Sequence, residues 1–413
     1  MSTDFDVLIV GGGPVGGAAA ALLARATSTE RSPLRIGVLE PRRPPLWKAD
    51  APPDLRVSAF SRASERVLTA AGAWQTIAMQ RISPYERMRV WHESVPATSP
   101  DVLVFDAAEV GEPNLGYIIE TRLIQHALLT AAEAAGVRVV NAELSAVHVR
   151  ENDVSVETKQ GPLTTQLIVG ADGAQSAVRA AVGLTVETSG YEQTAIVANV
   201  ATSRPHERTA WQRFLRTGTL AFLPLADGAS SIVWSADDEL AAALVAASPE
   251  AFATELAKAS DFALGETRLL SERLSFPLRR LAAHHYVAHR CALIGDAAHV
   301  VHPLAGQGVN LGILDAAALC DLLVRARRER EDPGALRTLR AYERWRKTET
   351  TMMSSAIDTF DRTLAHGTGP LSRLAQRGLG WVNRTPELKR VFIRRALGTA
   401  GELPTSAQPL PNR

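Results

Sequence analysis

The sequence predicts an α/β fold, a parallel Rossmann-like sheet with a mainly antiparallel sheet inserted in it and a helical C-terminus. Three observations carry this. A glycine-rich turn joins an apolar strand to an Ala-rich helix near the N-terminus, and alternating apolar and polar residues recur between hairpin turns in mid-chain. The strand–turn–helix order then returns after residue 290.

Residues 5–10 form a short β-rich run, 15–26 an Ala-rich helix and 34–40 a second strand, so a right-handed βαβ unit is expected. The Pro-rich stretch 41–53 should be irregular. Residues 62–73 read as a helix ended by Gly72, and 121–135 as an Ala/Leu-rich helix. Across 137–171, strands are interrupted by turns at Glu151-Asn152-Asp153 and Gln160-Gly161-Pro162. Further strands are expected over 194–201, 210–215, 219–225 and 230–235, with Gly218 and Asp227-Gly228 supplying hairpin turns. Residues 335–400 are mostly helical in pattern.

The chain has 413 residues, enough for two or three domains, with 46% hydrophobic and 22% charged residues, an ordinary globular composition. A net charge of +1 excludes a general basic field, and no nucleic-acid partner is expected. Cys291 and Cys320 match neither zinc nor redox spacing and read as free buried thiols. Val7 to Ala24 carries no charge and is long enough to raise the question of a membrane span. However, Asp4 and Asp6 precede it where a signal peptide wants cations, and Gly11-Gly12-Gly13-Pro14 would break a spanning helix. A cytoplasmic protein is expected, soluble or peripheral at the inner face of a membrane.

The chemistry sits in three motifs. Gly11-x-Gly13-x-x-Gly16 lies between strand and helix, where Gly11 permits the tight turn, Gly13 a close approach to pyrophosphate and Gly16 close helix–strand packing. Pro14 opens the helix whose N-terminus faces the phosphates. Glu40 ends the second strand, placed to accept hydrogen bonds from an adenosine ribose. This motif alone does not separate FAD from NAD.

The second motif is Gly295-Asp296-Ala297-Ala298-His299, followed by His302-Pro303-Leu304-Ala305-Gly306-Gln307-Gly308-Val309-Asn310. Its Asp296 can reach ribose or ribityl hydroxyls. Gly306 and Gly308 free the backbone to lie against a flat ring, and the helix N-terminus suits the anionic edge of a reduced flavin. Together the two segments point to FAD, held at its ADP end by the first and along its ribityl chain and ring by the second. His299 and His302 lack further clustered ligands, so turn or packing roles are expected and no metal is assigned. The third motif, Gly170-Ala171-Asp172-Gly173 with Ser176 and Arg179, reads equally well as a cofactor contact or as a turn with a capped helix.

In this order and spacing the three motifs resemble the class A FAD-dependent aromatic monooxygenases typified by para-hydroxybenzoate hydroxylase. Within that group the chain is similar to the ubiquinone-biosynthesis hydroxylases. The segment His302 to Gly312 with Asp315 carries the likeness, as do Leu55-Arg56-Val57-Ser58-Ala59, Ser83-Pro84-Tyr85, Leu115 to Glu120, Phe222 to Leu225 and Glu387 to Arg390. It is weakest across 237–270.

The resemblance implies a GR-type FAD-binding domain from 1–80, 105–190 and 287–345, a substrate-covering sheet domain from 81–104 and 191–286, and a C-terminal helical region over 346–413. It implies Glu40 on the ribose, Arg56 and Arg122 near the FAD phosphates or flavin, Asp172 on FAD and the nicotinamide donor, and Asp296 on the ribityl chain. Pro303 belongs to the ring-binding loop, and backbone from Gly306 through Gln307 and Gly308 to Asn310 would contact the isoalloxazine.

The implied activity uses FAD, NAD(P)H or another electron donor, and molecular oxygen. It hydroxylates a quinol or phenol ring of a polyprenylated ubiquinone precursor through a flavin C4a-hydroperoxide. Segments 104–109 and 303–305 lean toward a 2-polyprenyl-3-methyl-6-methoxy-1,4-benzoquinol substrate. No Ser/His/Asp set or carboxylate pair names a catalytic base. Three alternatives stay open: a flavoprotein of the same fold that does not insert oxygen, such as a dehydrogenase; a hydroxylase of a small soluble phenol; and a non-oxygenating flavin-binding subunit of a biosynthetic complex. Apolar and basic residues alternate at helical spacing over 388–397, which fits an interfacial helix or, preferred here, packing on the protein's own body.

Overall fold

A computed structural model of the chain describes residues 3–43, 45, 47–48, 50–302, 307–364 and 382–409. Its first sheet centres on β1 (Phe5–Val10), where Leu8 and Ile9 are both fully buried, the mark of a parallel strand covered on two faces. Parallel to it run β2 (Ile36–Leu39) and β11 (Gly161–Gly170). Beyond these lie β8 (Arg138–Val140) on one side and β19 (Cys291–Leu293) with β18 (Val287–Ala288) on the other. The antiparallel pair β9 (Leu144–Val149) and β10 (Val154–Thr158) extends β11.

Three helices cover this sheet: α1 (Pro14–Thr27), α4 (Thr121–Ala134) and α8 (Gln307–Arg328). Small residues let them approach closely. A Cβ on Gly17 would stand 3.0 Å from Leu128 on α4, and one on Gly312 of α8 would stand 2.6 Å from the Val15 side chain. The uncharged run from Val7 to Ala24 is therefore β1, a turn and the buried start of α1. No helix among the described residues is long and apolar enough to cross a membrane.

The second sheet has β5 (Arg87–His92), β6 (Leu103–Asp106), β12 (Val186–Thr202), β13 (Thr209–Leu215), β14 (Gly218–Pro224), β15 (Ser230–Asp237), β16 (Thr267–Leu269), β17 (Leu274–Ala283) and β20 (His299–Val300). Its order is β20-β17-β12-β15-β14-β13-β5-β6, antiparallel except where β13 meets β5. Strand alternation splits its residues between two faces. Ile196, Phe222, Ile232 and Trp234 point outward and form a core with Leu244 of α6 (Asp238–Ala246) and Phe252 and Leu256 of α7 (Pro249–Ala259). The opposite set points inward, where Phe214 and Val90 pack on Val301 and Leu311.

A small third sheet of β3 (Val57–Ser61), β4 (Ser83–Tyr85) and β7 (Gly116–Glu120) fills the joint between the two. There Val57, Ala59 and Ile118 pack on Leu223 and Leu225. The helices α2 (Arg62–Ala70), α3 (Trp74–Ala78) and α5 (Ala177–Ala181) are short, and α9 (Leu336–Leu364) and α10 (Pro386–Ala396) follow α8. On α10, Ile393 is buried against the same cluster as Ala107 and Leu115, while Val391 is exposed. The expected helical stretch over 365–381 lies outside the described residues.

Two differences from the sequence reading have plain causes. β12 begins eight residues earlier than the expected start at Thr194. Its polar, largely exposed first half has no hydrophobic pattern and is ordered by pairing with β17, across a bulge between Gly190 and Thr194. Helices α6 and α7 occupy a stretch for which the sequence analysis names no element, because their apolar face is matched only to the outward face of the sheet.

Candidate cofactor and active site

The first glycine turn is sterically demanded by the protein itself at two of its three positions. Gly11 has φ +102°, and a Cβ there would lie 2.4 Å from the Ala171 carbonyl oxygen. A Cβ on Gly16 would lie 2.0 Å from the Gly11 carbonyl oxygen. Gly13 differs, since no protein atom would come within 4 Å of its Cβ. Its openness fronts the N-terminus of α1, which starts with Pro14 and has no side-chain cap. Glu40 ties the turn down: Gly12 N donates to its Oε2 at 2.7 Å and Arg42 N to its Oε1 at 3.0 Å.

The other two motifs meet this turn. Val15 is wedged between Gly295 and Gly312, where added Cβ atoms would stand 3.2 and 2.6 Å from it. Asp172 follows Ala171, already in contact with Gly11. Its Oδ2 accepts the Val178 N–H at 3.1 Å, whereas its Oδ1 is buried with no partner. Ser176 caps α5 by accepting Arg179 N at 3.0 Å, and the Arg179 guanidinium donates to the Ala297 carbonyl at 2.8 Å. The capped-turn reading and proximity to the glycine loop thus hold at once.

Asp296 keeps solvent access although protein surrounds it on most sides. It makes no hydrogen bond among the described residues. Desolvation raises its pKa above the ordinary carboxylate value; Asp315 adds to the rise and His299 opposes it. Behind it, fully buried Asp315 accepts Gly295 N at 3.1 Å and the His299 ring at 2.6 Å through Oδ2, and Arg346 Nε at 2.7 Å through Oδ1. Burial alone would raise the Asp315 pKa, but His299 and Arg346 together hold it below the usual range. His302 instead faces Gln193 at 3.4 Å and stands edge-on to Tyr191. No group of potential metal ligands occurs among the described residues.

Asn310 is spent inside the protein. Its Oδ1 accepts Ser61 N at 2.9 Å and the Ser64 hydroxyl at 2.7 Å, and its Nδ2 donates to the Ala59 carbonyl at 2.7 Å. The side chain fastens α8 to β3 and α2, which leaves only backbone for a ring contact. A Cβ on Gly308 would touch nothing closer than Val301 at 4.0 Å. Pro303 and Gly306 lie outside the described residues, and of Gln307 only the helical backbone is described.

Arg56 and Arg122 share a cleft of about 530 Å³ with Pro52, Pro53, Asp54 and Gln125. Asp54 organises it, accepting Arg56 N at 3.2 Å and pairing with Arg122 Nε at 3.4 Å. The Asp54 N–H is held by Glu120, which also binds Arg81 at 2.6 Å. Helices α1 and α4 both lead into strands of one parallel sheet and so point the same way, with Gly17 set against Leu128. The cleft at the start of α4 therefore lies beside the glycine turn.

The donor set fits a flavin dinucleotide. An open, uncapped helix start suits phosphates, while a buried orphaned oxygen on Asp172 and a partnerless carboxylate on Asp296 suit hydroxyl donors. Sequence reasoning did not find the roles of Asp54 and Arg346. Asp315 carried a signal through its motif, but Arg346 is one of many basic residues on a long helix and carried none.

Comparison with known proteins agrees. The family model described as FAD binding domain matches residues 4–354. The ubiquinone hydroxylase UbiL of Rhodospirillum rubrum is 37% identical over 397 residues, covering 95% of this chain and 90% of that protein. The 3-demethoxyubiquinol 3-hydroxylase of Escherichia coli is 36% identical, covering 95% and 98%. The crystal structure of p-nitrophenol 4-monooxygenase PnpA from Pseudomonas putida DLL-E4 superposes with TM-score 0.74 at 19% identity, covering 98% of this chain and all of that one, a likeness of fold.

Proposed function

From the premise that this chain belongs to the ubiquinone-hydroxylase branch of the FAD binding domain family, we propose that it is an FAD-dependent monooxygenase. It hydroxylates the ring of a polyprenylated ubiquinone precursor, a methoxy- and methyl-substituted benzoquinol. The convergence of three glycine-bearing motifs on Val15 and Gly11 is the observation that carries the reading. FAD, when bound, supplies oxygen activation and accepts electrons from NAD(P)H or a comparable donor.

The chain's own residues do the rest. The start of α1 receives the pyrophosphate, with Arg56 and Arg122 in the adjoining cleft to balance its charge. Glu40 and Asp172 accept from ribose hydroxyls and Asp296 from the ribityl chain. Backbone from Gly308 to Asn310 would contact the ring, the positive end of α8 stabilising negative charge there. The inward face of the second sheet would cover the ring and exclude water from it.

Peripheral contact with a membrane or a biosynthetic assembly is part of this reading. The exposed Val391, beside Arg390 and Arg394, supports it. Co-sedimentation with anionic liposomes tests that part: binding should be lost on deleting residues 386–413, and an unchanged result removes it. The main test uses labelled dioxygen. The holoenzyme with NAD(P)H and a soluble benzoquinol analogue should place one labelled oxygen atom on the ring. Label only in hydrogen peroxide or water would refute the monooxygenase.

A further inference from the structure

On the inward face of the second sheet, a cluster of buried polar side chains lacks protein partners. Asn199 Oδ1, Thr219 Oγ1 and Ser231 Oγ are buried without a hydrogen bond. The Gln212 amide and Ser235 hydroxyl, 5% and 2% exposed, also make none among the described residues. Leaving such groups unsatisfied is destabilising, so a cluster on one face calls for a ligand.

The register puts all five on the same side. Asn199 pairs with Ser231, Thr219 with Ser235, and Gln212 with Ala221, which itself pairs with Val233. Ala221 and Val233, at the centre of this face, are partly exposed, which leaves open space in front of them. On either side the face is closed down, by Phe214 on Val301 and Leu311, and by Leu223 on Val57 and Ala59. Those contacts belong to the elements flanking the proposed flavin site.

The layout selects a ligand chemistry. Ser231 and Ser235 are four residues apart on β15, or ~13 Å along the strand, with Val233 midway. A flat ring lying over Val233 and Ala221, with oxygens at opposed positions and a hydrogen bond of about 2.8 Å at each end, nearly fills that span. Around the ring, the positions of this face over 195–199, 210–214, 219–223 and 231–235 carry no charged side chain, and Asp237 lies exposed at the end of β15. A carboxylate buried here would find no cation on these strands to pair with, a costly arrangement.

We infer that Gln212, Ser231 and Ser235 recognise the opposed oxygens of an uncharged ring, a quinol rather than a hydroxybenzoate. This rests on the monooxygenase reading for what happens to the ring, though not for its recognition. Thr219 and Asn199 border the same ring and complete the polar rim.

The test uses holoenzyme and two probes, a methoxy-methyl-benzoquinone with its quinol, and para-hydroxybenzoate. Binding is read from the change in flavin absorption, separately from turnover. The wild type should bind the neutral probe at least about tenfold more tightly than the benzoate. Gln212→Leu and Ser235→Ala should each weaken the neutral probe about tenfold while FAD stays bound. Gln212→Arg should turn the preference toward para-hydroxybenzoate. Should Gln212→Leu not retain FAD, Ser235→Ala and Gln212→Asn decide the matter, the latter with a smaller loss. Neutral-probe affinity unchanged in the FAD-retaining variants, or equal wild-type affinity for both probes, overturns the inference. Gln212-dependent binding without hydroxylation would retain the recognition and refute the monooxygenase. Hydroxylation indifferent to these substitutions would do the reverse.

Discussion

The two faces that meet at the proposed flavin site are built on opposite principles. On the parallel-sheet side, backbone geometry is strict and charge is concentrated. Gly11 and Gly16 leave no room for a methyl group, and Asp315 is buried between Arg346 and His299. On the inserted-sheet side, the central alternate positions of the face are small, neutral and free of glycine constraints. Difference in task explains the contrast. A dinucleotide is large and anionic, so it is met by fixed backbone; a ring is small and uncharged, so it is met by side chains.

If that contrast is right, the same kind of small substitution should have unequal consequences on the two sides. The largest effect is expected at Gly16→Ala, whose new methyl would collide with the Gly11 carbonyl at 2.0 Å. FAD retention should fall by at least about a hundredfold with a loss of at least about 3 kcal/mol in stability. Flavin content after gel filtration and urea unfolding measure both. Ser235→Ala on the other side should cost under about 1 kcal/mol in the same unfolding assay.

Asp315→Asn should come next, at about 3 kcal/mol, because it strands the buried Arg346 and His299. Its pH dependence has a definite sign. The Asp315 carboxyl is held below its ordinary value of 3.8 in the fold, so its contribution is fully present above that pH. It is lost as pH falls through the lower folded value. Acid unfolding followed by circular dichroism should therefore begin at higher pH in the variant than in the wild type.

Asp172→Ala should weaken FAD about tenfold with little effect on the substrate probes, because Asp172 lies against Gly11 and its Oδ1 has no protein partner. Fluorescence titration of apoprotein with FAD checks this. The smallest effect is expected at Asp296→Asn. The carboxylate's pKa is raised above 3.8 in the fold, so it stabilises the apoprotein less as pH rises through the window between 3.8 and the raised value. Replacing it should raise apoprotein stability at neutral pH by about 1 kcal/mol and flatten that decline, while FAD still binds, because an amide also meets a hydroxyl.

The same asymmetry decides what could be read from sequence. The β1–turn–α1 unit was legible because Gly11, Gly16 and the buried strand Phe5–Val10 answer to local backbone rules. The strands over 194–201 and 210–235 were legible from alternation and from turns at Gly218 and Gly228. β17 was not, because Pro277 and the Arg279-Arg280 pair break its pattern and only pairing with β12 makes it a strand. The partner of Asp315 was hidden for a related reason: Arg346 meets it from a helix that begins 21 residues later, and no local spacing records that meeting. The polar rim of Gln212, Ser231 and Ser235 is three unremarkable strand residues until register places them on one face.

The central claim is that three motifs from distant parts of the chain close on one flavin dinucleotide. Titrating apoprotein with FAD under native conditions tests it most directly. The account predicts saturation at one FAD per chain with a perturbed flavin spectrum, abolished by Gly16→Ala. A wild-type protein that shows no saturable FAD binding, or binds it equally well with Gly16 replaced, would contradict it.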